Sequence, residues 1–137
     1  MAIAGLCYNG NLVDALILAE QNEQCVGNAY NISDGSKISW KKYIDSICGM
    51  IGKKSVKVST PYPVAYGTGM LMETIWRICG FTNRPLLTMM ATALVGTHQS
   101  FSIEKACSEM GHNPKIDFTE GIRLTGEWLK ELGYPVR

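Results

Sequence analysis

This 137-residue chain lacks an excess of either charge: thirteen Lys and Arg stand against twelve Asp and Glu, leaving +1. Proteins that hold phosphates by counterion release need a basic surplus, so nucleic acid is not an expected partner. Paired cysteines are missing too. The five sit at positions 7, 25, 48, 79 and 107, an odd number without a CxxC or other short spacing. That pattern reads as reduced cytosolic thiols, mostly core, rather than a disulfide framework or a zinc site. A metal reading would have to combine Cys107 with His112 and His98, too scattered a set for ligand spacing, and no metal is expected. The most apolar stretches, residues 63–78 and 85–95, stop short of the ~20 residues a membrane span needs, and Glu73 and Arg77 interrupt the first. Residues 1–8 carry no basic segment and only a short apolar run, so no secretory signal is expected. A cytoplasmic protein without membrane contact is the resulting expectation.

Familiar catalytic apparatus is also absent. The close glycine pair Gly67 and Gly69 is followed by Met72 where a dinucleotide loop requires a third glycine, and it falls inside a helical pattern, where glycines serve close helix packing. There is no G-x-S-x-G and no H-E-x-x-H. His98 and His112 have no Ser or Cys partner nearby in sequence and read as capping or surface histidines. A tyrosine activated by a lysine one helical turn on is the proton donor of carbonyl reduction, yet Tyr8, Tyr30, Tyr43, Tyr62 and Tyr66 are followed four residues later by Leu12, Asp34, Ile47, Tyr66 and Met70. No catalytic residue and no cofactor-binding residue is therefore expected in this chain.

What is present is a well-patterned apolar sequence. Hydrophobic residues make up 46% and charged residues 18%, which excludes intrinsic disorder. Without repeats or a long linker, residues 1–137 are expected to form a single domain. Asn11 is placed to cap a helix reaching Asn22, so densely apolar that it is expected to be covered on most sides. Residues 29–33 read as a short buried strand closed by Asp34-Gly35. Trp40, Tyr43, Ile44, Ile47, Cys48 and Ile51 mark the next helix, opened at Ser39 and stopped by Gly52. Val56 and Val58 alternate with Lys57 and Ser59 as a brief strand. Further helices are expected over 63–79, from Pro85 to near Gly96, and over 103–110 with Ser102 as cap, with residues 100–102 as another short strand. Asp117 and Glu120 form a capping-box pair before Ile122, Leu124, Trp128, Leu129 and Leu132, and Gly133 ends the run. Tyr62, Tyr66, Trp76 and Phe101, interleaved with methionines, are candidates to border one apolar cavity.

Three segments resemble a known family. Tyr8-Asn9-Gly10-Asn11-Leu12-Val13-Asp14-Ala15 is similar to the opening of a late helix in extended short-chain dehydrogenases, the NAD(P)-dependent epimerase/dehydratase group. Gly27-Asn28-Ala29-Tyr30-Asn31-Ile32-Ser33-Asp34-Gly35 is similar to that family's last sheet strand and its turn. Phe101-Ser102-Ile103-Glu104-Lys105-Ala106, with Glu109 to Pro114 and Phe118 to Ile122, resembles its C-terminal substrate-domain signature. Asn9 stands where the family usually has an aliphatic residue, and Ser102 where an acidic one is common. Pro61-Tyr62-Pro63 and the helices after it look closest to the 3-beta-hydroxysteroid dehydrogenase-like branch.

The resemblance implies the C-terminal part of a Rossmann-type enzyme: a mainly α, α+β chain with a few short strands and without most of the parallel sheet. Residues 1–35 would be the remnant of the last strand-helix-strand, and residues 36–137 a helical substrate-binding lobe. It further implies that the nucleotide loop and the Ser, Tyr and Lys of catalysis lie upstream, so this chain alone is expected to be silent. NAD(P) and a small-molecule substrate, of sugar-nucleotide or hydroxysteroid type, belong to the intact enzyme. Tyr62, Tyr66, Trp76 and Phe101 lie in the region matching the substrate-side wall. The expected partners are a missing N-terminal Rossmann half or a second copy of the chain. The alternative, from the residues alone, is a free-standing helical interaction or apolar-ligand-binding module.

Overall fold

A computed structural model describes residues 2–57 and 60–136. Six α-helices follow in order: α1 Asn9–Glu20, α2 Trp40–Met50, α3 Tyr62–Cys79, α4 Met89–Gly96, α5 Glu104–Met110 and α6 Phe118–Glu131, with a 3-10 turn at Glu23–Cys25 after α1. The mainly α expectation holds, but the strands do not form. Among the described residues β pairing is a single antiparallel bridge between Ile3 and Ser39, flanked by bonds from Ala4 N–H to the Ile38 carbonyl and from Gln99 N–H to the Ile3 carbonyl. No Rossmann sheet is present among these residues. Residues 29–33 still show the burial rhythm of a strand: Tyr30 and Ile32 pack on the core while Ala29 and Asn31 face outward. The rhythm survives without a ladder because no neighbouring strand lies alongside to supply one. Residues 100–102 likewise form no strand. Of the stretch expected over 56–59, Val56 and Lys57 are unpaired, and Val58 and Ser59 lie outside the described residues.

Helix α1 corrects two expectations. It begins three residues early, at Asn9 with Tyr8 in the cap position, and Asn11 is not its cap. The Asn11 side chain is 1% exposed and uses all four hydrogen-bonding positions of its amide. Its Nδ2 donates to Asp34 Oδ1 at 2.6 Å and to the Ile116 carbonyl at 2.8 Å, and its Oδ1 accepts from the N–H groups of Lys115 and Ile116 at 3.1 Å. The carboxylate of Asp34 in turn accepts the Tyr8 N–H at 2.9 and 3.0 Å, placing negative charge at the positive end of α1. The capping function thus comes from 26 residues away. Nor is α1 covered on most sides. Asn11 and Ala15 are buried, Leu18 and Ala19 pack partly on Ala106 and Met110, and Leu12, Val13, Leu16 and Ile17 are exposed.

The other boundaries follow local rules. Ser39, Thr88 and Asp117 each accept a backbone N–H three residues on, at Lys42, Ala91 and Glu120. Thr88, not Pro85, opens α4, because its hydroxyl supplies the acceptor that a proline cannot. Ser102 is not the cap of α5: the helix starts at Glu104 with Ile103 in the cap position, and Ser102 Oγ accepts the Glu104 N–H from one residue further out. The capping box at α6 is half formed: Glu120 turns away from the helix start to clasp Arg123, which lowers the Glu120 carboxyl below its ordinary range.

Helices α3 and α4 form an antiparallel hairpin whose register is set by two glycines. A Cβ on Gly69 would stand 3.0 Å from the Met89 nitrogen, and one on Gly96 would stand inside the Tyr62 ring. Gly69 therefore does serve close helix packing, whereas Gly67 faces open space. Replacing Asn11 by Ala leaves a buried carbonyl and two N–H groups unpaired, and the expected loss is roughly 3 kcal/mol of unfolding free energy. Denaturant titration checks this, and a loss no larger than that of a typical surface change would remove Asn11 from this central role.

Candidate functional site

A groove of about 490 Å³ lies between α2, the residues just before α3, and the α3–α4 hairpin. Trp40 and Ile44 from α2, Val56, Tyr62 and Ala65 from the entry to α3, and Leu87, Ala91 and Val95 around α4 make its wall largely apolar. Lys41, Asp45, Lys57 and Thr60 supply its polar portion. Tyr62 keeps its place because Gly96 has no side chain to displace the ring.

The polar portion is organised by Asp45. Its two oxygens accept from Lys41 Nζ and Ser55 Oγ, tying the segment after α2 back to that helix. The Lys41 ammonium, then the Ser55 hydroxyl, hold the Asp45 carboxyl below its usual range. On the apolar side, the indole N–H of Trp40 is shielded from water and has no hydrogen-bond partner. An unpartnered buried donor is uncommon.

Of the four aromatic candidates, Tyr62 lines this groove and the other three do not. Tyr66 leans on Tyr62 with centroids 5.8 Å apart, Trp76 packs on Phe81 at 5.1 Å, and Phe101 is 58% exposed beyond α4. Fourteen helical residues separate Tyr62 from Trp76, about 21 Å along α3, so one small groove does not border both. Nothing in the pattern marked Trp40 and Ile44 as groove residues, since their spacing is that of an ordinary core stripe.

A smaller cavity of about 250 Å³ lies beside the α1 start, lined by Cys7, Tyr8, Asp34, Tyr43, Asp117 and Phe118 among others. Burial, with the Asp34 charge next to it, pushes the Cys7 thiol up, away from the thiolate that a nucleophile requires. His112 is not a surface histidine. It is 3% exposed with Nε2 3.4 Å from the Ser33 carbonyl, whereas His98 accepts the Ile3 N–H at Nδ1. Among the described residues no group of three His, Cys, Asp or Glu comes together as a metal site, and no helix is long and apolar enough to cross a membrane. The glycine pair lies within α3, with Gly69 pressed on the α4 backbone, rather than in a turn between strand and helix as a dinucleotide loop requires.

No family model matches the chain, and no solved structure does. Curated relatives do. The chain is 31% identical over 134 residues to short-chain dehydrogenase/reductase family 42E member 1 of Xenopus laevis, a match covering 90% of this chain and 33% of that protein. It is 27% identical to the decarboxylating sterol-4-alpha-carboxylate 3-dehydrogenase of Candida albicans, covering 90% of this chain and 37% of that one. Against 2-alkyl-3-oxoalkanoate reductase of Stenotrophomonas maltophilia it is 26% identical, covering 72% and 30% respectively. The chain is thus related to oxidoreductases across most of its length. It is similar to members of the short-chain dehydrogenases/reductases, the family its three motifs resemble, and it spans about a third of the length of these relatives.

Asp45 has a pH signature with a defined sign. Because its folded pKa is lowered, its contribution is present above the usual carboxylate pKa and is lost as pH falls through the lowered value. Asp45→Asn is therefore expected to loosen residues 53–57 at neutral pH, as acid does in the parent. Tryptic cleavage at Lys53 and Lys54 reads this out, and cleavage rates equal in parent and variant would show that Asp45 tethers nothing.

Proposed function

We propose that this chain is the C-terminal, substrate-binding part of a longer NAD(P)-dependent short-chain dehydrogenase of the hydroxysteroid or oxoacid-reducing type, and that it has no catalytic activity of its own. The supporting relatives are named as a sterol-carboxylate dehydrogenase and an alkyl-oxoalkanoate reductase, and the groove wall is correspondingly apolar. Residues 1–35 are then the edge of the Rossmann half and residues 36–137 the lobe that closes on substrate. In the intact protein the upstream part supplies the nucleotide loop and the proton donor, and the groove side of α2 to α4 holds the substrate's apolar body.

The observation that carries this reading is the surface left over. The chain exposes 9871 Å², whereas a compact monomer of 15.1 kDa exposes roughly 7,100 Å². Much of the surplus is apolar and ordered by helix: Leu12, Val13, Leu16 and Ile17 on α1 are all at least 40% exposed. Residues 29–33, whose Tyr30 and Ile32 pack on the other, buried side of α1, have no strand paired to them among the described residues. A helix and an extended segment with one face satisfied and the other bare are what remains of an α/β layer when its sheet belongs to another part of the protein. Leaving 400 Å² of such surface in water forgoes about 10 kcal/mol, so the isolated chain is expected to cover it with a second copy. A stand-alone module has no corresponding reason to carry a bare α1.

Two measurements test the reading. Calorimetric titration of the chain with NADH and NADPH is expected to show no micromolar binding, and such binding would refute it. Sedimentation at micromolar concentration is expected to show a dimer that Leu16→Asp or Ile17→Asp weakens by at least about tenfold, since each buries a charge. A stable 15 kDa monomer would show that the α1 face needs no cover.

A further inference from the structure

Helix α3 has two long sides with different surroundings. Toward α4 it presents Gly69, pressed on the α4 backbone, Tyr62, packed over Gly96, and Glu73, whose carboxylate accepts the Met89 N–H at 2.8 Å. On the opposite side Val64, Leu71, Ile75 and Ile78 follow one another at helical spacing, and each is at least 42% exposed. This stripe is about 21 Å long. It offers a partner no hydrogen bond, because the polar side chains flanking it, Thr68 and Thr74, donate their hydroxyls to the Val64 and Met70 carbonyls, each at 2.8 Å. Such back-bonding is how a hydroxyl is satisfied where water is absent. Past the end of α3, Phe81 and Leu86 are exposed as well. The charge around this face has one sign. Between residues 60 and 100 the charged side chains are Glu73, Arg77 and Arg84, and Glu73 is turned toward α4. Arg77, in the last turn of α3, and Arg84 are exposed and make no ion pair among the described residues.

We propose that the outer side of α3 rests on the surface of an anionic phospholipid bilayer, with Val64, Leu71, Ile75 and Ile78 at the boundary of headgroups and acyl chains and Arg77 and Arg84 at lipid phosphates. Two features favour lipid over protein. A protein interface carries roughly one hydrogen bond per 100–200 Å², and this stripe has none to give, whereas an acyl layer asks for none. Two unpaired cations beside an apolar stripe, with no acid facing the same way, complement the negative potential of an anionic leaflet. The helix lies in the interface and does not cross it. No helix among the described residues is long and apolar enough to span a membrane, and the expectation of no membrane contact follows from span length, which a helix lying flat does not need. The seat also leaves the groove open, since Tyr62 is on the other side of α3.

The test is co-flotation of the 137-residue chain with vesicles of phosphatidylcholine, either pure or carrying about 30 mol% phosphatidylserine. Binding is expected to be roughly twenty-five-fold tighter on the mixed vesicles, from two cations at about fivefold each, and Arg77→Gln or Arg84→Gln is expected to remove one such factor. Leu71→Gln changes no charge and is expected to weaken binding to both vesicles roughly tenfold. Circular dichroism confirms its fold, Leu71 being exposed already. Leu16→Asp, on the bare face of α1, is expected to keep floating, which separates the α3 seat from that other apolar surface. Absence of flotation, no preference for phosphatidylserine, binding undiminished in a folded Leu71→Gln protein, or a loss in Leu16→Asp as large as in Leu71→Gln would each overturn the proposal. So would a dimer in sedimentation that Leu71→Gln dissociates, because that result assigns the stripe to a second copy of the chain.

Discussion

The amide of Asn11 is the point on which the arrangement of this chain depends. It joins three stretches far apart in sequence: the first turn of α1, the Asp34 turn, and residues 115–116 that lead into α6. Asparagine alone among small side chains offers two donors and two acceptor positions in one plane, and here every one is used. Buried where water does not reach, the network is strong when complete and costly when broken. It also sets the geometry of its neighbours. With Asp34 held by Asn11, the Asp34 carboxylate is in place to receive the Tyr8 N–H and stabilise the start of α1. Asp117, the residue directly after the last contact of the network, then caps α6.

That constraint explains why one side of α1 is satisfied and the other is not. Asn11 and Ala15 face inward and bring Leu18 and Ala19 with them toward α5, one stripe of a helix with a period of 3.6 residues. The remaining apolar residues necessarily point the other way. No rotation of the helix hides both stripes, because turning Leu16 and Ile17 inward would pull Asn11 from its four partners. A sequence apolar on both sides of such a helix is written for two neighbours. The chain supplies one of them.

The sequence conveyed some features well and others not at all, for physical reasons. The α2 stripe and the Ser39 and Asp117 caps are local, depending on residues three or four apart, and these appear as expected. Residues 29–33 carry a genuine strand alternation, yet a strand exists only with a partner, and alternation says nothing about whether one is at hand. Asn11 illustrates a different gap: its position before an apolar run fits an N-cap, and only the distant Asp34 and Ile116 reveal its real task. Pro85 satisfies the local rule for a helix start, but the Thr88 hydroxyl outcompetes it by accepting a hydrogen bond. Of the aromatic grouping, Tyr62 reaches the α2–α4 groove, whereas helical rise carries Trp76 to the other end of α3 and Phe101 lies beyond α4, because sequence spacing does not fix how far apart such residues stand in the fold.

The groove and the bare α1 face are built from different parts of the chain, and this separation bears on how such a lobe works. The groove draws on α2, the entry to α3, and the region around α4, whereas the bare face belongs to α1. Covering α1 therefore does not require displacing groove residues, and filling the groove does not require moving Asn11. The connection between them is the short pairing of Ile3 with Ser39, directly before Trp40, so the residue that opens α2 and lines the groove is anchored to the same segment that leads into α1. Substitutions at Leu16 and at Ile44 lie in structurally distinct contacts, and effects at sites without shared partners add. A chain organised this way can vary the groove wall without disturbing the exposed face of α1.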